Sequence, residues 1–106
     1  MEGHGEESAW SLYLLRCGDG SLYTGIALDV ERRLGEHAEA GGRGAKYLRG
    51  RGPLELVFER RIGSRGLAQR LEHAVKRWPR ARKEELVAGR AELDSLLEEL
   101  ASDAAS

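Results

Sequence analysis

Residues 10–27 read WSLYLLRCGDGSLYTGIA, and this stretch decides the fold. Two short segments, rich in leucine and aromatic residues, flank a Gly-Asp-Gly turn. Such segments on either side of a glycine-containing turn are typical of a β-hairpin. We therefore expect the domain to begin with two antiparallel strands.

The length of the loop decides which side chains share a face of the hairpin. A three-residue loop, 18–20, pairs Tyr13 with Gly25 and puts Tyr13 and Tyr23 on the same face. Gly20 then supplies the left-handed position of a bulged turn. A two-residue loop would put the two tyrosines on opposite faces. In the three-residue case, the other face is the apolar one, which we expect helices to cover, and it carries Leu12, Leu14, Leu22, Thr24 and Ile26.

The remaining apolar spacing predicts helices and one further strand. Asp29 and Ser64 are suitable N-caps for the first two helices, and Gly89 is a break in the last helical segment. The order β-β-α-β-α plus a C-terminal helix predicts an α+β fold class, with a small three-stranded, mainly antiparallel sheet flanked by helices. The predicted ranges are 29–40 for the first helix, 54–60 for the third strand, 64–79 for the second helix and 80–101 for the final helical segment.

The chain of 106 residues is long enough for one domain. We assign residues 10–88 to that domain, 1–9 to a flexible acidic N-terminus and 89–106 to an acidic C-terminal helix and tail. Residues 10–83 carry sixteen of the seventeen Lys and Arg residues against eight acidic residues, although the formal net charge is −1. A basic body between acidic ends favours a polyanionic partner, and an ordinary solvated surface is the alternative.

The single cysteine, Cys17, excludes an intramolecular disulfide and a multi-cysteine zinc finger. We therefore expect a reducing, cytoplasmic location. The acidic residues 1–9 do not have the pattern of a signal peptide, and no stretch approaches the roughly 18 apolar residues that a membrane span needs. The sequence thus predicts a soluble protein with no membrane partner.

Side chains suited to phosphate chemistry are spread over the predicted strands and helices. They are Tyr13, Tyr23, Arg33, His37 and Glu72. The tyrosines belong to the motifs Ser-Leu-Tyr (residues 11–13) and Tyr-Thr-Gly (residues 23–25). With these motifs the chain resembles the GIY-YIG nuclease superfamily, most closely its small stand-alone bacterial members. It departs from the family in that Ser-Leu replaces Gly-Ile, Thr24 replaces Ile, and no Asn is present for the role that some relatives give to one.

The resemblance implies a metal-dependent endonuclease that hydrolyses DNA phosphodiester bonds in repair- or recombination-type substrates. It also implies one divalent cation, Mg²⁺ or Mn²⁺, on Glu72, and Mg²⁺ is often held by one or two carboxylates while it keeps most of its waters. The guanidinium of Arg33 suits a bidentate contact with the scissile phosphate. We expect nearby Arg, Lys and metal charge to favour the phenolate of Tyr13 as the base, while Tyr23 and His37 orient water or phosphate or relay the proton.

Each of these residues also has a plainer interpretation. Two tyrosines on a hairpin are commonly packing residues. Arg33 and His37 would by default be surface groups on a helix, and Glu72 with Lys76 would be an ordinary i,i+4 ion pair. On that basis, the alternative function is a non-catalytic nucleic-acid-binding module that retains the nuclease fold.

Basic residues in a glycine-rich connection and on the second helix are assigned to the DNA backbone, where contacts fix position without reading sequence. This set comprises Arg43, Lys46, Tyr47, Arg49, Arg51, Arg70 and Lys76. The sequence has no zinc-finger or helix-turn-helix pattern, so we expect recognition of DNA structure rather than of a long site. The leucines within residues 86–100 are expected to pack in the core, and if they were exposed they would dock a protein partner instead.

Overall fold

The computed structural model describes residues 9–39 and 53–105. Over these residues the chain forms a three-stranded antiparallel sheet and four helices, so the predicted α+β class and order of elements are confirmed. The elements are β1 (Trp10–Arg16), β2 (Leu22–Ala27), α1 (Val30–Glu39), β3 (Glu55–Gly63), α2 (Arg65–Lys76), α3 (Arg80–Val87) and α4 (Asp94–Ala105). None of the helices in these two ranges is long and apolar enough to cross a membrane.

The hairpin has the predicted three-residue loop and register. Tyr13 pairs with Gly25 across β1 and β2. The loop is closed because the Cys17 N–H donates to the Ser21 carbonyl at 2.9 Å. Gly20 has φ +88°, the left-handed conformation that a bulged turn requires and that glycine adopts without a Cβ penalty.

The sheet order is β2-β1-β3, which makes β1 the central strand. Leu12 and Leu14 on one face of β1 pack against Leu71 of α2, as expected for the apolar face. The tyrosine face is covered as well, because Tyr13 shares a second cluster with Val30 of α1. This second covered face departs from the expectation of helices on the apolar face, because a polar phenol does not predict burial by itself.

Side-chain caps fix where the first two helices begin. The Asp29 Oδ1 accepts from the Arg32 N–H at 3.1 Å at the start of α1, and the Ser64 Oγ accepts from the Leu67 N–H at 3.2 Å at the start of α2. Both caps were predicted. Gly89, with φ +82°, ends α3 at the predicted break.

The final helix belongs to the same core as the sheet. Leu93 immediately before α4 is 1% exposed, and Leu96, Leu97 and Leu100 pack against the cluster formed by β1 and α2. Of the two interpretations of the leucine stripe, the structure favours core packing over a free docking face. The helix continues to Ala105, four residues beyond its predicted end.

Candidate active site

The two tyrosines of the hairpin form a pair on one face of the sheet. Their ring centroids are 6.3 Å apart and the ring planes are tilted by 43°. Tyr13 is 1% exposed, whereas Tyr23 is partly exposed. The pair therefore has a buried member on the central strand and a more accessible member on the edge strand β2.

Gly25 makes room for the Tyr13 ring. The two residues face each other in the strand register, and a Cβ added to Gly25 would lie 2.6 Å from both Cζ and Oη of Tyr13. Any side chain at this position would therefore displace the phenol. Sequence analysis did not include Gly25 among the site residues, although a glycine opposite an aromatic residue in the predicted register is a signal that could have indicated it.

Arg33 approaches the tyrosine pair from α1. It lies in the first turn of that helix, where its N–H donates to the Asp29 carbonyl at 3.1 Å, and its side chain is partly buried. The positive charge of Arg33 lowers the pKa of both Tyr13 and Tyr23.

Glu72 approaches the same pair from α2. Its negative charge raises the pKa of Tyr13 and of Tyr23, and its Oε2 lies 3.4 Å from the Nζ of Lys76. Lys76 in turn lowers the pKa of Tyr23. Glu72 and Arg33 thus both act electrostatically on the same two phenols.

Burial is the main influence on both phenols. It raises the pKa of Tyr13 and of Tyr23 above the usual value near 10, and the lowering by Arg33 is smaller than this effect. The charge of Arg33 favours the phenolate of Tyr13 as expected, but in the protein by itself burial outweighs it and the pKa of Tyr13 is raised. The physical reason is the closed packing of α1 over the tyrosine face.

The donor set fits a hydrated divalent cation and not a fully protein-ligated metal. Over the described ranges, no group of three or more His, Cys, Asp or Glu side chains is arranged to hold a metal ion. The Glu72 carboxylate is 22% exposed and has a cation as its neighbour already. One accessible carboxylate is a sufficient protein ligand for Mg²⁺, which keeps most of its waters.

The other predicted residues have different outcomes. His37 lies within α1, but its side chain is outside the described part of the chain. Arg70 lines a groove between α2 and α4 together with His73 and Arg77, on a different face of α2 from Glu72 and Lys76. The remaining predicted DNA contacts lie outside the described residues, namely Arg43, Lys46, Tyr47, Arg49 and Arg51.

Comparison with known proteins shows which family this chain belongs to. The profile of the GIY-YIG catalytic domain matches residues 9–85. The UPF0213 protein YhbQ of Escherichia coli strain K12 is 52% identical over 91 residues, which cover 86% of this chain and 89% of that protein. A UPF0213 protein of Klebsiella pneumoniae is 48% identical over 94 residues, which cover 89% of this chain and 87% of that protein.

A solved structure agrees with the fold. The solution NMR structure of a protein from E. faecalis has 32% sequence identity and a TM-score of 0.55, covering 76% of this chain and 84% of that chain. The matched profile includes the hairpin, α1, β3 and α2, which are the elements that carry the tyrosine pair, Arg33 and Glu72. The chain belongs to the GIY-YIG nuclease family, and the relatives it resembles are small bacterial proteins.

Proposed function

We propose that this protein is a metal-dependent endonuclease that hydrolyses DNA phosphodiester bonds at a single-metal site. One observation carries the proposal: Arg33 and Glu72, from two different helices, both act electrostatically on Tyr13 and Tyr23 in a chain of a nuclease family. A phosphodiester needs its charge neutralised, a water deprotonated and a leaving oxygen stabilised. The four side chains include a group for each of these tasks.

Arg33 and Glu72 divide the work of holding the substrate. The planar guanidinium of Arg33 contacts two oxygens of the scissile phosphate, which a lysine could not do in the same geometry. Glu72 is the protein ligand for Mg²⁺ or Mn²⁺, and such a cation supplies positive charge to the phosphate and acidity to a bound water. The Lys76 Nζ lies 3.4 Å from the Glu72 Oε2, so a cation at that oxygen would compete with Lys76.

Tyr13 is our candidate for the general base. Because burial raises its pKa, the phenol is protonated at neutral pH and the small phenolate fraction grows as the pH rises. Among the residues that the structure describes, Arg33 carries the positive charge that favours the phenolate. Tyr23, which is more accessible, and His37 are assigned to orienting the water or the phosphate.

The substrate is proposed to be recognised by its structure. Backbone contacts from basic side chains fix the position of DNA without reading its sequence. Substrates of the repair or recombination type, with nicks, flaps or branches, are the expected class. We expect the enzyme to act in the cytoplasm, where its buried cysteine, Cys17, would remain a free thiol.

One observation favours a second candidate function, a non-catalytic nucleic-acid-binding module with the nuclease fold. The raised pKa of Tyr13 reduces the amount of base present at neutral pH. This alternative predicts salt-dependent binding of DNA or RNA without cleavage in Mg²⁺ or Mn²⁺.

The deciding experiment incubates the protein with labelled linear, nicked, flap and branched DNA in Mg²⁺, Mn²⁺ or EDTA. Nuclease activity predicts cutting that EDTA abolishes and that falls about 100-fold or more in Tyr13→Phe, Arg33→Ala and Glu72→Gln. Arg61→Ala and Glu85→Gln are matched controls, because both residues are exposed on other elements. Undiminished cutting in all three site variants would refute the assignment, and binding without any cutting would support the alternative.

A further inference from the structure

A cavity lies beside the candidate active site, where β2 meets the start of α1. Its volume is about 190 Å³, which is room for about six waters of the liquid. Arg33 belongs to both places, since it lines the cavity and acts on the tyrosine pair. The lining residues are Trp10, Ala27, Leu28, Asp29, Arg32 and Arg33.

The lining combines an aromatic residue with an aliphatic one. Trp10 is partly buried, and the guanidinium of Arg65 lies over its ring, 5.2 Å from the centroid. Leu28 is 49% exposed and is the large hydrophobic residue that stands out as exposed among the described residues. A surface that only held phosphates would need neither an indole nor an exposed leucine.

Two guanidiniums accompany this apolar surface. Arg32 and Arg33 follow each other in the first turn of α1, and both line the cavity. The one acidic neighbour in the lining, Asp29, is engaged as the helix cap, since its Oδ1 accepts from the Arg32 N–H at 3.1 Å. An apolar ring surface beside two guanidiniums is the combination that binds a nucleotide, in which a flat base adjoins an anionic phosphate.

We propose that this cavity binds one unpaired nucleotide next to the phosphodiester bond that is cut. Its base packs against Trp10 and Leu28, and its phosphate contacts Arg32 and Arg33. The volume is sufficient for a single planar base, and a base within a duplex is already stacked on its neighbours, so we expect an unpaired base to pack there. The placement next to the cut bond rests on the proposed nuclease function, whereas the binding of an unpaired nucleotide does not depend on cleavage. The substrate class is therefore DNA with at least one unpaired nucleotide beside the scissile phosphate.

Trp10 is itself the probe for the test. The chain has two tryptophans, and Trp78→Phe leaves Trp10 as the only one. Trp78 is a suitable residue to replace, because it lies under Arg82 at 3.9 Å and packs against a different part of the core. The titration is done in EDTA, which keeps binding separate from cutting. It compares an oligothymidylate, an abasic strand of the same length and a blunt duplex.

We expect oligothymidylate to quench Trp10 fluorescence, and the abasic strand and the duplex to leave it nearly unchanged. With dye-labelled strands, fluorescence anisotropy should show that Trp10→Leu weakens oligothymidylate binding about tenfold while the affinity for the abasic strand stays the same, and that Trp10→Phe restores most of the loss. Leu28→Ser, which changes an exposed side chain, should weaken binding in the same selective way. Equal quenching by the abasic strand, or equal loss of both strands in these variants, would overturn the proposal.

The two proposals fail in different ways. Selective binding of the unpaired strand in EDTA without any cutting in Mg²⁺ or Mn²⁺ would support the nucleotide site and reject the nuclease. Metal-dependent cutting with no preference for bases over the abasic strand would keep the nuclease and reject the nucleotide site.

Discussion

At the scale of single residues, Gly25 is the tightest constraint on the candidate site. The Tyr13 ring occupies the space that any side chain at Gly25 would need. We therefore expect Gly25→Ala to displace the phenol, to remove most DNA cleavage and to cost about 1–3 kcal/mol of unfolding free energy. Cleavage assays and urea denaturation of the same samples measure the two effects.

Gly35 provides the matched control for this substitution. It is exposed in α1, and a Cβ there would meet nothing within 4 Å. Gly35→Ala should keep full cleavage and raise stability by roughly 0.5–1 kcal/mol, since glycine is unfavourable inside a helix. If Gly25→Ala behaves like Gly35→Ala, the close approach of the Tyr13 ring is not important to the site.

The pKa of Tyr13 leads to a prediction on pH. Burial raises that pKa, so the phenolate fraction increases about tenfold for each pH unit below it. If Tyr13 is the base, the rate of the chemical step should rise with pH across the neutral and mildly alkaline range without levelling off. Single-turnover cleavage at a fixed Mg²⁺ concentration from pH 6 to about pH 9 measures this profile. A plateau that begins near neutral pH would contradict a base whose pKa is raised by burial.

At the scale of elements, an ion pair joins the central strand to α3. The two guanidinium nitrogens of Arg16 donate to the two carboxylate oxygens of Glu84, each at 2.7 Å, and this hydrogen bonding lowers the pKa of Glu84 to about 2. Both side chains are about one-third exposed, so solvent screening keeps the contribution near that of a surface pair, about 1 kcal/mol. The residues are 68 positions apart, and no local pattern predicts their contact.

The lowered pKa fixes the direction of the pH effect. A carboxylate with a lower pKa in the folded state stabilises the protein fully above its ordinary pKa of 4.5, and the contribution is lost as the pH falls toward about 2. The difference in unfolding free energy between wild type and Glu84→Gln should therefore be about 1 kcal/mol at pH 7 and should shrink below pH 4.5. Glu85→Gln is the control, and an equal difference for Glu85→Gln would contradict the assigned role of Glu84.

The position of α4 predicts its energetic role. Leu93 is 1% exposed in the main core, so we expect Leu93→Ala to cost about 3 kcal/mol by loss of burial and creation of a cavity. Leu28→Ala removes the same atoms from a residue that is 49% exposed, and it should change stability little. Denaturant unfolding measures both variants. A small change in unfolding free energy for Leu93→Ala would contradict core packing of the leucine stripe and favour a partner-binding surface instead.

At the scale of the whole molecule, the sequence predicts local structure better than it predicts which distant residues come together in space. The register of β1 with β2 follows from a three-residue loop in which Gly20 takes the left-handed conformation. The starts of α1 and α2 follow from the capping residues Asp29 and Ser64. The bulges in the pairing of β1 with β3, next to Ser11 and Leu15, have no local signal.

The site itself was predictable only in part. Spacing along the chain places Arg33 and Glu72 on two helices, but it does not say that both helices approach one pair of phenols. The resemblance to a nuclease family is what indicated that side chains of both helices act on the same two phenols. The burial of Tyr13, which reverses the expected direction of its pKa, depends on the packing of α1 and therefore on tertiary structure.

The proposed site depends on the binding of a divalent cation by Glu72 beside the tyrosine pair. Titration of the isotope-labelled protein with paramagnetic Mn²⁺, followed by NMR, tests this binding without any need for activity. We expect early broadening of the amide signals of Tyr13, Tyr23, Gly25 and Glu72, and its disappearance in Glu72→Gln. Broadening that starts instead at the acidic residues of α4, or that persists unchanged in Glu72→Gln, would contradict the assignment of Glu72 as the cation ligand.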